Sequence, residues 1–274
     1  MESKDNSFEK TKLPVLSYSK ISSFKRCAKC YKLGYIDKLP KKDKPYTLFG
    51  NFCHYILQRF HEHYLNPNEL PTVDYNEIMT KCFKESIEKY NPKLTKDQVD
   101  EAFGMMKLYL NQIKDLKKDE KFPNVIAVEK KIWHQINDFV YYGFIDRLQK
   151  DEDGLFHIID YKTTKDKKYL KDPAQILLYG YFILQENPDI KKVRTSYILL
   201  KHKMAYMTHE HDVSELIAAK DKFVEQWEEL KNEKLFRATP RFDSCTICDF
   251  AEVCDEGKSI LQRKKGYFGE ESSW

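Results

Sequence analysis

The sequence predicts an α/β fold in which a mixed β-sheet is flanked by helices. Two apolar runs on either side of an Asp-Gly turn at Asp153-Gly154 are typical of a β-hairpin. A segment with helical spacing, residues 174–185, then separates this hairpin from another apolar run at residues 193–200. A helix inserted between strands indicates a mixed sheet with helices packed around it.

Helices are expected to precede the sheet. Ser17 or Ser19 can cap a first helix that runs to about Ile36. Further helical patterns follow a charged loop and cover residues 49–64, 75–90 and 96–116. They predict a helical insertion at about residues 65–120, before the first long strand.

The strands are predicted from apolar runs that are bounded by turn residues. In chain order they are residues 125–133, 139–148, 155–161 and 193–200. A further segment at residues 206–210 is expected to pair with the last of these strands. Ser214 then caps a long helix that runs to about Lys231.

Length and composition are compatible with one elaborated domain. The chain has 274 residues, of which 41% are hydrophobic and 33% charged, and its mean hydropathy is −0.68. No apolar run approaches the length needed to span a membrane. We expect a single domain at residues 13–257, between polar tails at residues 1–12 and 258–274. The formal net charge of +4 is too small to indicate a nucleic-acid surface by itself.

The strongest functional signal is Asp160-Tyr161-Lys162, where the second strand of the hairpin ends. Side chains alternate along a strand, so Asp160 and Lys162 share one face. Asp146 on the facing strand can converge with them. Two carboxylates and the carbonyl of Tyr161 form a hard oxygen site that suits Mg²⁺ or Mn²⁺. Lys162 beside this site would orient a metal-bound water and offset charge on an attacked phosphate.

These residues resemble the active-site core of the RecB-like branch of the PD-(D/E)XK nuclease superfamily. The segments that carry the resemblance are Gly143-Phe-Ile-Asp146 and Ile159-Asp160-Tyr161-Lys162-Thr163. The resemblance implies a restriction-endonuclease-like sheet and metal-dependent cleavage of DNA. It also implies that Asp146, Asp160 and Lys162 are catalytic.

Two further segments resemble motifs of the same branch and follow its order along the chain. Gln175-Ile-Leu-Leu-Tyr179 resembles the helical motif, and a spacing of four puts both polar side chains on one helix face. Gly50-Asn-Phe-Cys-His54 resembles the motif that supplies a histidine to the metal. The resemblance implies that Gln175 and Tyr179 face the catalytic centre and the DNA. The metal ligands that it implies are His54, Asp146, Asp160 and Tyr161.

Glu129 is a further acidic candidate. It ends an apolar stretch before Lys130-Lys131, one strand ahead of Asp146. Related nucleases often carry an acidic residue near the metal at this place. An exposed strand glutamate fits the same pattern, so both alternatives stay open.

Seven cysteines, an odd number, and no signal peptide predict a reducing cytosol rather than a disulfide framework. Cys245, Cys248 and Cys254 lie close together, and a four-cysteine metal or cluster site needs one more ligand from far along the chain. Cys27 and Cys30 are the candidates for that ligand. The other two cysteines are expected to be buried thiols in helices, Cys53 and Cys82.

The opening segment, residues 17–31, resembles that of iron-sulfur nucleases of this branch. In those proteins a helix begins at a serine and runs into Cys-Pro and then an aromatic residue. Aligning the aromatic with Tyr31 makes Cys27 the first ligand, whereas the proline is Ala28 here, which keeps Cys30 as an alternative. The arrangement is similar to the AddB-type nuclease domain and to CRISPR-associated RecB-like exonucleases. The resemblance implies a [4Fe-4S] cluster, with Zn²⁺ as the alternative.

Such a cluster would act as a structural clasp between the two ends of the domain. It would close a loop of nearly the whole chain, which restricts the unfolded state by on the order of 5 kcal/mol. Zinc sites more often gather their ligands as two local pairs.

The expected substrate is DNA that is single-stranded or has free ends. Lysines that directly follow the metal motif can meet phosphates beside the scissile bond, and they are Lys165, Lys167 and Lys168. No Gly-x4-Gly-Lys-Ser/Thr motif is present, so unwinding would need a separate helicase. The resemblance leaves recombination, end processing and CRISPR spacer trimming open. It implies a cytoplasmic protein, or one in the host cytoplasm if a phage encodes it.

An exonuclease on single-stranded DNA ends is the expected activity, and a structure-specific endonuclease is the enzymatic alternative. The alternative from another class is a catalytically silent DNA-binding or adaptor module. A missing acid or lysine would mark that module, and none is missing.

Overall fold

The protein is represented by a computed structural model that describes residues 11–42, 44–63, 74–90, 93–118, 123–164 and 172–268. The chain forms two compact units. Unit 1 comprises Met1–Lys42, Gln135–Tyr141 and Asp221–Trp274. Unit 2 comprises Asp43–His134 and Tyr142–Lys220.

The strands form a six-stranded mixed sheet in the order β1-β3-β4-β5-β6, with β2 paired to β3. The strands are β1 (Val15–Leu16), β2 (Asn124–Ile136), β3 (Phe139–Lys150), β4 (Phe156–Lys162), β5 (Lys192–Leu199) and β6 (Ala205–Asp212). The pairs β3–β4 and β5–β6 are antiparallel, whereas β4–β5 and the short β1–β3 pair are parallel. The mixed sheet flanked by helices that the sequence predicts is therefore confirmed.

The helices of the described residues are α1 (Tyr18–Arg26), α2 (Ala28–Tyr31), α3 (Pro45–Glu62), α4 (Tyr75–Tyr90), α5 (Lys96–Lys118), α6 (Ala174–Glu186), α7 (Val213–Asn232), α8 (Phe242–Cys245) and α9 (Asp255–Phe268). A π-helical turn, Lys32–Ile36, follows α2. Because α6 joins the parallel strands β4 and β5, it crosses over the sheet as the sequence predicts. Residues after 258, which were expected to form a tail, are helical as far as Phe268.

The first predicted helix is interrupted, whereas its predicted start is correct. Ser17 is the N-cap, and its side chain accepts a hydrogen bond from the Lys20 N–H at 3.3 Å. Cys27 has an extended backbone (φ −165°) and separates α1 from α2. Helical periodicity continues through this point, so it could not reveal the break.

The start of α7 also differs from the prediction. Ser214 lies inside the first turn rather than at the cap, because the helix begins at Val213. The side chain of Glu215 instead accepts a hydrogen bond from the Asp212 N–H at 3.0 Å. This is the contact that the glutamate of a capping box makes.

The main core of unit 2 lies where α3, α4 and α5 pack against the sheet. Phe52, Ile56 and Phe60 of α3 have no exposed surface, at the spacing of one helix face. Burial of each such side chain contributes about 1.5–3 kcal/mol to folding. On another part of this unit, Gly180 of α6 allows close approach to α7, because a Cβ there would lie 2.8 Å from Leu216 Cδ2.

No helix in the described ranges is long and apolar enough to cross a membrane.

Candidate active site and cysteine cavity

The hairpin of β3 and β4 brings two acidic residues together in unit 2. Its register pairs Arg147 with Ile159, so the next residues along the two strands are Asp146 and Asp160. Oδ2 of Asp146 accepts a hydrogen bond from the backbone N–H of Tyr161 at 2.8 Å. The convergence that the sequence predicts for Asp146 with the Asp-Tyr-Lys segment is therefore present.

His54 reaches the same place from α3. Its Nδ1 lies 3.3 Å from Oδ2 of Asp146. His54, Glu129 and Asp146 each offer one ligand atom, and these atoms all lie within 4.8 Å of one another. One imidazole nitrogen and two carboxylate oxygens fit Mn²⁺ well and are compatible with Mg²⁺. The structure thus contains a possible divalent metal site.

Glu129 has an unusual backbone for a residue within a strand. Its φ is +48°, in the left-handed region that L-residues avoid at a cost of roughly 1–3 kcal/mol. Burial raises the pKa of its carboxyl group to about 7, and the nearby Asp146 adds to this effect. The sequence alone leaves open whether Glu129 lies near the metal or is an exposed strand glutamate, because a local backbone distortion leaves no periodic signal.

The charges of His54 and Asp146 depend on each other. Burial acts to lower the pKa of His54, but the Asp146 carboxylate outweighs it and raises that pKa to about 9. Burial acts to raise the pKa of Asp146, but His54 holds it below its usual value. Without metal the pair is therefore an imidazolium and a carboxylate, and a bound cation would replace the proton of His54.

Lys162 pairs with Asp160 beside these groups. Its Nζ lies 2.6 Å from Oδ2 of Asp160, and the aspartate is only 6% exposed. Burial acts to lower the pKa of Lys162, but Asp160 raises it above its usual value. The lysine therefore stays an ammonium group at neutral pH. The prediction that the two side chains share one strand face agrees with this contact.

Gln175 and Tyr179 of α6 are joined as their spacing predicts. Nε2 of Gln175 donates to the hydroxyl of Tyr179 at 3.0 Å. Burial raises the pKa of Tyr179, and the Asp160 and Asp146 carboxylates act in the same direction. The phenol therefore stays neutral close to the acidic residues.

A polar cluster that sequence reasoning missed lies behind β4. Arg147 is 2% exposed, and its Nη1 lies 2.8 Å from Nε2 of His61 and also donates to the hydroxyl of Tyr109. The hydroxyl of Tyr109 is 3.4 Å from that of Tyr161. Arginine only donates, so His61 is a neutral acceptor here, in agreement with its lowered pKa, which burial and Arg147 cause. The only sequence signals are that Arg147 follows Asp146 and that His61 follows His54 by two helical turns.

Five of the seven cysteines line one cavity in unit 1, and they are Cys27, Cys30, Cys245, Cys248 and Cys254. Sγ of Cys30 lies 3.4 Å from Sγ of Cys248, whereas Sγ of Cys27 accepts a hydrogen bond from the Thr239 N–H at 3.4 Å. The cavity thus brings together cysteines that are far apart in the sequence. Both candidates for the first ligand, Cys27 and Cys30, line it. Cys53 and Cys82 have no exposed surface.

Lys165, Lys167 and Lys168 lie outside the described residues, so the structure does not place these expected DNA contacts.

The chain matches the model of the PD-(D/E)XK nuclease superfamily over residues 15–255. It belongs to that superfamily. This membership confirms the superfamily expected from the Asp146, Asp160 and Lys162 segments, whereas the RecB-like branch stays a prediction. It implies phosphodiester hydrolysis with DNA as the substrate. No curated protein matches the chain significantly.

One similar solved structure supports the fold of this PD-(D/E)XK protein. It is a protein of Eubacterium rectale described as a "putative exonuclease", with TM-score 0.52 and 11% identity, and the match covers 94% of this chain and 93% of that one. The structure of SSO0001 matches with TM-score 0.31 and 15% identity over 76% of this chain and 84% of that one. The likeness in fold therefore rests on the first of these two structures.

Proposed function

We propose that the protein is a metal-dependent deoxyribonuclease that acts as an exonuclease on single-stranded DNA ends. This proposal rests on one observation: ligand atoms of His54, Glu129 and Asp146 lie close together, beside the Asp160–Lys162 pair. The nuclease part follows from family membership. The preference for single strands and for cleavage from an end is inferred from the resemblance of the motifs to those of RecB-like nucleases.

The metal would be Mg²⁺ or Mn²⁺, held by His54, Asp146, Asp160 and the carbonyl of Tyr161, with Glu129 as an additional ligand. A divalent ion supplies Lewis-acid polarisation of a phosphate and a water of lowered pKa. The Asp146 carboxylate accepts the N–H of Tyr161, in the peptide before the one that would offer the carbonyl ligand, so a neighbouring ligand holds the backbone of Tyr161 in place.

Lys162 acts as a cation in this scheme. Because its pKa is raised by Asp160, it donates hydrogen bonds to the attacking water or to a phosphate oxygen. It does not need to accept a proton. Gln175 and Tyr179 would meet a DNA phosphate or hold Lys162, since their side chains are already joined on one helix face.

Incubation with end-labelled DNA and Mg²⁺ or Mn²⁺ tests the proposal. Linear single strands should be degraded from one end, whereas circular single strands should persist because they offer no end. Asp160→Ala and Lys162→Ala should remain folded and bind DNA but lose cleavage by at least about 100-fold. Cleavage of circles would identify an endonuclease, and wild-type rates in either variant would reject the mechanism.

We also propose that the cysteine cavity holds a [4Fe-4S] cluster. Its ligands would be Cys27, Cys245, Cys248 and Cys254, with Cys30 as the alternative to Cys27. All five of these cysteines line one cavity, which supports a site with four thiolate ligands. The choice of an iron-sulfur cluster over zinc comes from the resemblance of the cysteine pattern to that of iron-sulfur nucleases.

Anaerobic purification tests the cofactor. A brown protein that absorbs near ~400 nm and contains iron and sulfide supports the cluster. A colourless protein with stoichiometric zinc contradicts it. Seven free cysteines fit a reducing cytoplasm, where a separate helicase or recombination or CRISPR adaptation proteins would supply the DNA ends.

A further inference from the structure

Unit 1 contains an open polar cavity besides the one lined by five cysteines. Its volume is about 310 Å³, at the lower end of the range for small-ligand sites. Helix α1 supplies five lining residues at helical spacing, which are Tyr18, Ser19, Ser22, Ser23 and Arg26. Tyr35 of the π-helical turn and Lys41 of the next loop complete the polar wall. Cys30 and Phe250 are buried at its base.

The side chains around this cavity are mainly hydrogen-bond donors. Arg26 and Lys41 are exposed cations, and neither pairs with a carboxylate in the part of the chain that the structure describes. Asp249 is the one acidic residue among those that line the cavity. Two cations, three serines and two tyrosines around one acid favour an anionic ligand.

Two lysine ammonium groups lie close to the ring of Tyr35, which lines the cavity. Nζ of Lys41 lies 4.4 Å from the centroid of the Tyr35 ring and donates to its hydroxyl at 3.3 Å. Nζ of Lys20 lies 5.7 Å from the same centroid. Burial lowers the pKa of Lys20, and repulsion from Lys41 contributes. An anion beside the two ammonium groups would relieve that repulsion. π-Helical turns also occur frequently at functional sites.

We propose that this cavity binds phosphate groups of the DNA strand, with Arg26 and Lys41 as direct contacts and the α1 serines as further donors. The proposal rests on the proposed nuclease function, because it names a second contact with the same substrate. Both cations are exposed at the rim of an open cavity. A passing strand can therefore reach them without burying its bases, as sequence-independent binding requires.

Fluorescence anisotropy with a short labelled oligothymidylate, in EDTA so that the strand is not cut, tests this site. Arg26→Gln and Lys41→Gln should each weaken binding roughly fivefold. Each should also reduce the slope of log K against log salt by about 0.7, the value for one single-strand phosphate contact, and the double variant by about 1.4. Arg26→Lys should restore the slope, since it keeps the charge.

The chain offers matched controls of the same charge change. Lys25 and Lys42 adjoin Arg26 and Lys41 in sequence but are exposed and paired with Glu229 and Glu252. Lys25→Gln and Lys42→Gln should leave the salt slope within error of the wild type. An equal loss of slope in these controls would assign the effect to general surface charge and overturn the proposal.

Three other outcomes decide between sources of phosphate and between the two proposals. An unchanged slope in the double variant overturns the cavity assignment, even if DNA cleavage is intact. Displacement of the strand by inorganic phosphate or thymidine monophosphate at concentrations similar to those of the oligonucleotide would identify a free-anion site instead. Loss of cleavage in Asp160→Ala with a normal slope supports both proposals, because it separates binding from chemistry.

Discussion

The backbone N–H of Tyr161 donates to Oδ2 of Asp146 at 2.8 Å, and this bond joins the two strands that carry the acidic residues. The same residue turns its phenol to the opposite side, 3.4 Å from the hydroxyl of Tyr109. Tyr161 therefore links the candidate metal site to the buried cluster behind the sheet. Because side chains alternate along a strand, the phenol of Tyr161 lies on the face opposite to the one that Asp160 and Lys162 share.

Glu129 should show opposite effects on stability and on metal binding. Glu129→Gly removes a side chain from a residue with φ +48°, so the free energy of unfolding should rise or stay unchanged. The same change removes a carboxylate from the metal group, so Mn²⁺ affinity should fall by about tenfold or more. Isothermal titration with Mn²⁺ and urea denaturation measure the two effects.

Glu129→Gln serves as the matched control, since it keeps the strained backbone and loses only the charge. It should weaken Mn²⁺ binding without the gain in stability. Unchanged Mn²⁺ affinity in both variants would remove Glu129 from the metal site.

Arg147 should contribute to stability through its buried acceptors. Arg147→Met keeps apolar bulk but removes the buried donor that the Tyr109 hydroxyl and Nε2 of His61 share, and it leaves those two groups, 2.5 Å apart, to pair with each other. The free energy of unfolding should fall by about 2–3 kcal/mol, and Tyr109→Phe should cost about 1 kcal/mol. Because the residues share one cluster, the double variant should lose less than the sum of the two. Additive losses in urea denaturation would show that the cluster is not coupled.

Asp151 should make stability depend on acidity. Burial acts to raise its pKa, but hydrogen bonds from His157, Gln149 and Arg194 hold it well below the usual range. A lowered pKa gives stability that is present above the unfolded value of about 3.9 and is lost as pH falls further. Asp151→Asn should therefore cost about 1–3 kcal/mol at neutral pH, and its difference from the wild type should shrink in acid.

Glu152→Gln, the exposed neighbour in the same turn, provides the comparison for Asp151. Because its side chain is exposed, this variant should leave the free energy of unfolding at neutral pH within about 0.5 kcal/mol of the wild type. A constant cost of Asp151→Asn across the acidic range would contradict the assigned contacts.

Replacing either of two helix glycines with alanine should change the stability of the protein, in opposite directions. A Cβ at Gly180 would lie 2.8 Å from Leu216 Cδ2 and 3.1 Å from Val193 Cγ2, so Gly180→Ala should destabilise by about 1–3 kcal/mol. A Cβ at Gly104 in α5 would meet nothing within 4 Å. Gly104→Ala should stabilise by about 0.5–1 kcal/mol through helix propensity. Thermal unfolding of both variants, with shifts of opposite sign, checks the packing of α6.

The elements with strong periodicity could be predicted well from the sequence. The helix predicted over residues 75–90 has the same bounds in the structure, and the order of strands around α6 is as expected. The break at Cys27 and the distortion at Glu129 could not be predicted, because each is a single-residue departure within a regular pattern. The cluster around Arg147 depends on contacts between α3, α5 and two strands, and pairwise contacts of this kind leave no motif in one sequence.

The composition of the two units constrains the order in which they can be completed during synthesis. Every segment of unit 2 precedes residue 221, so its parts have all been synthesised while unit 1 still lacks its last segment, Asp221–Trp274. Three cysteines of the cavity, Cys245, Cys248 and Cys254, are made only after that point. On a nascent chain, Cys27 and Cys30 therefore lack these three cavity partners until Cys254 has been synthesised and has left the ribosome.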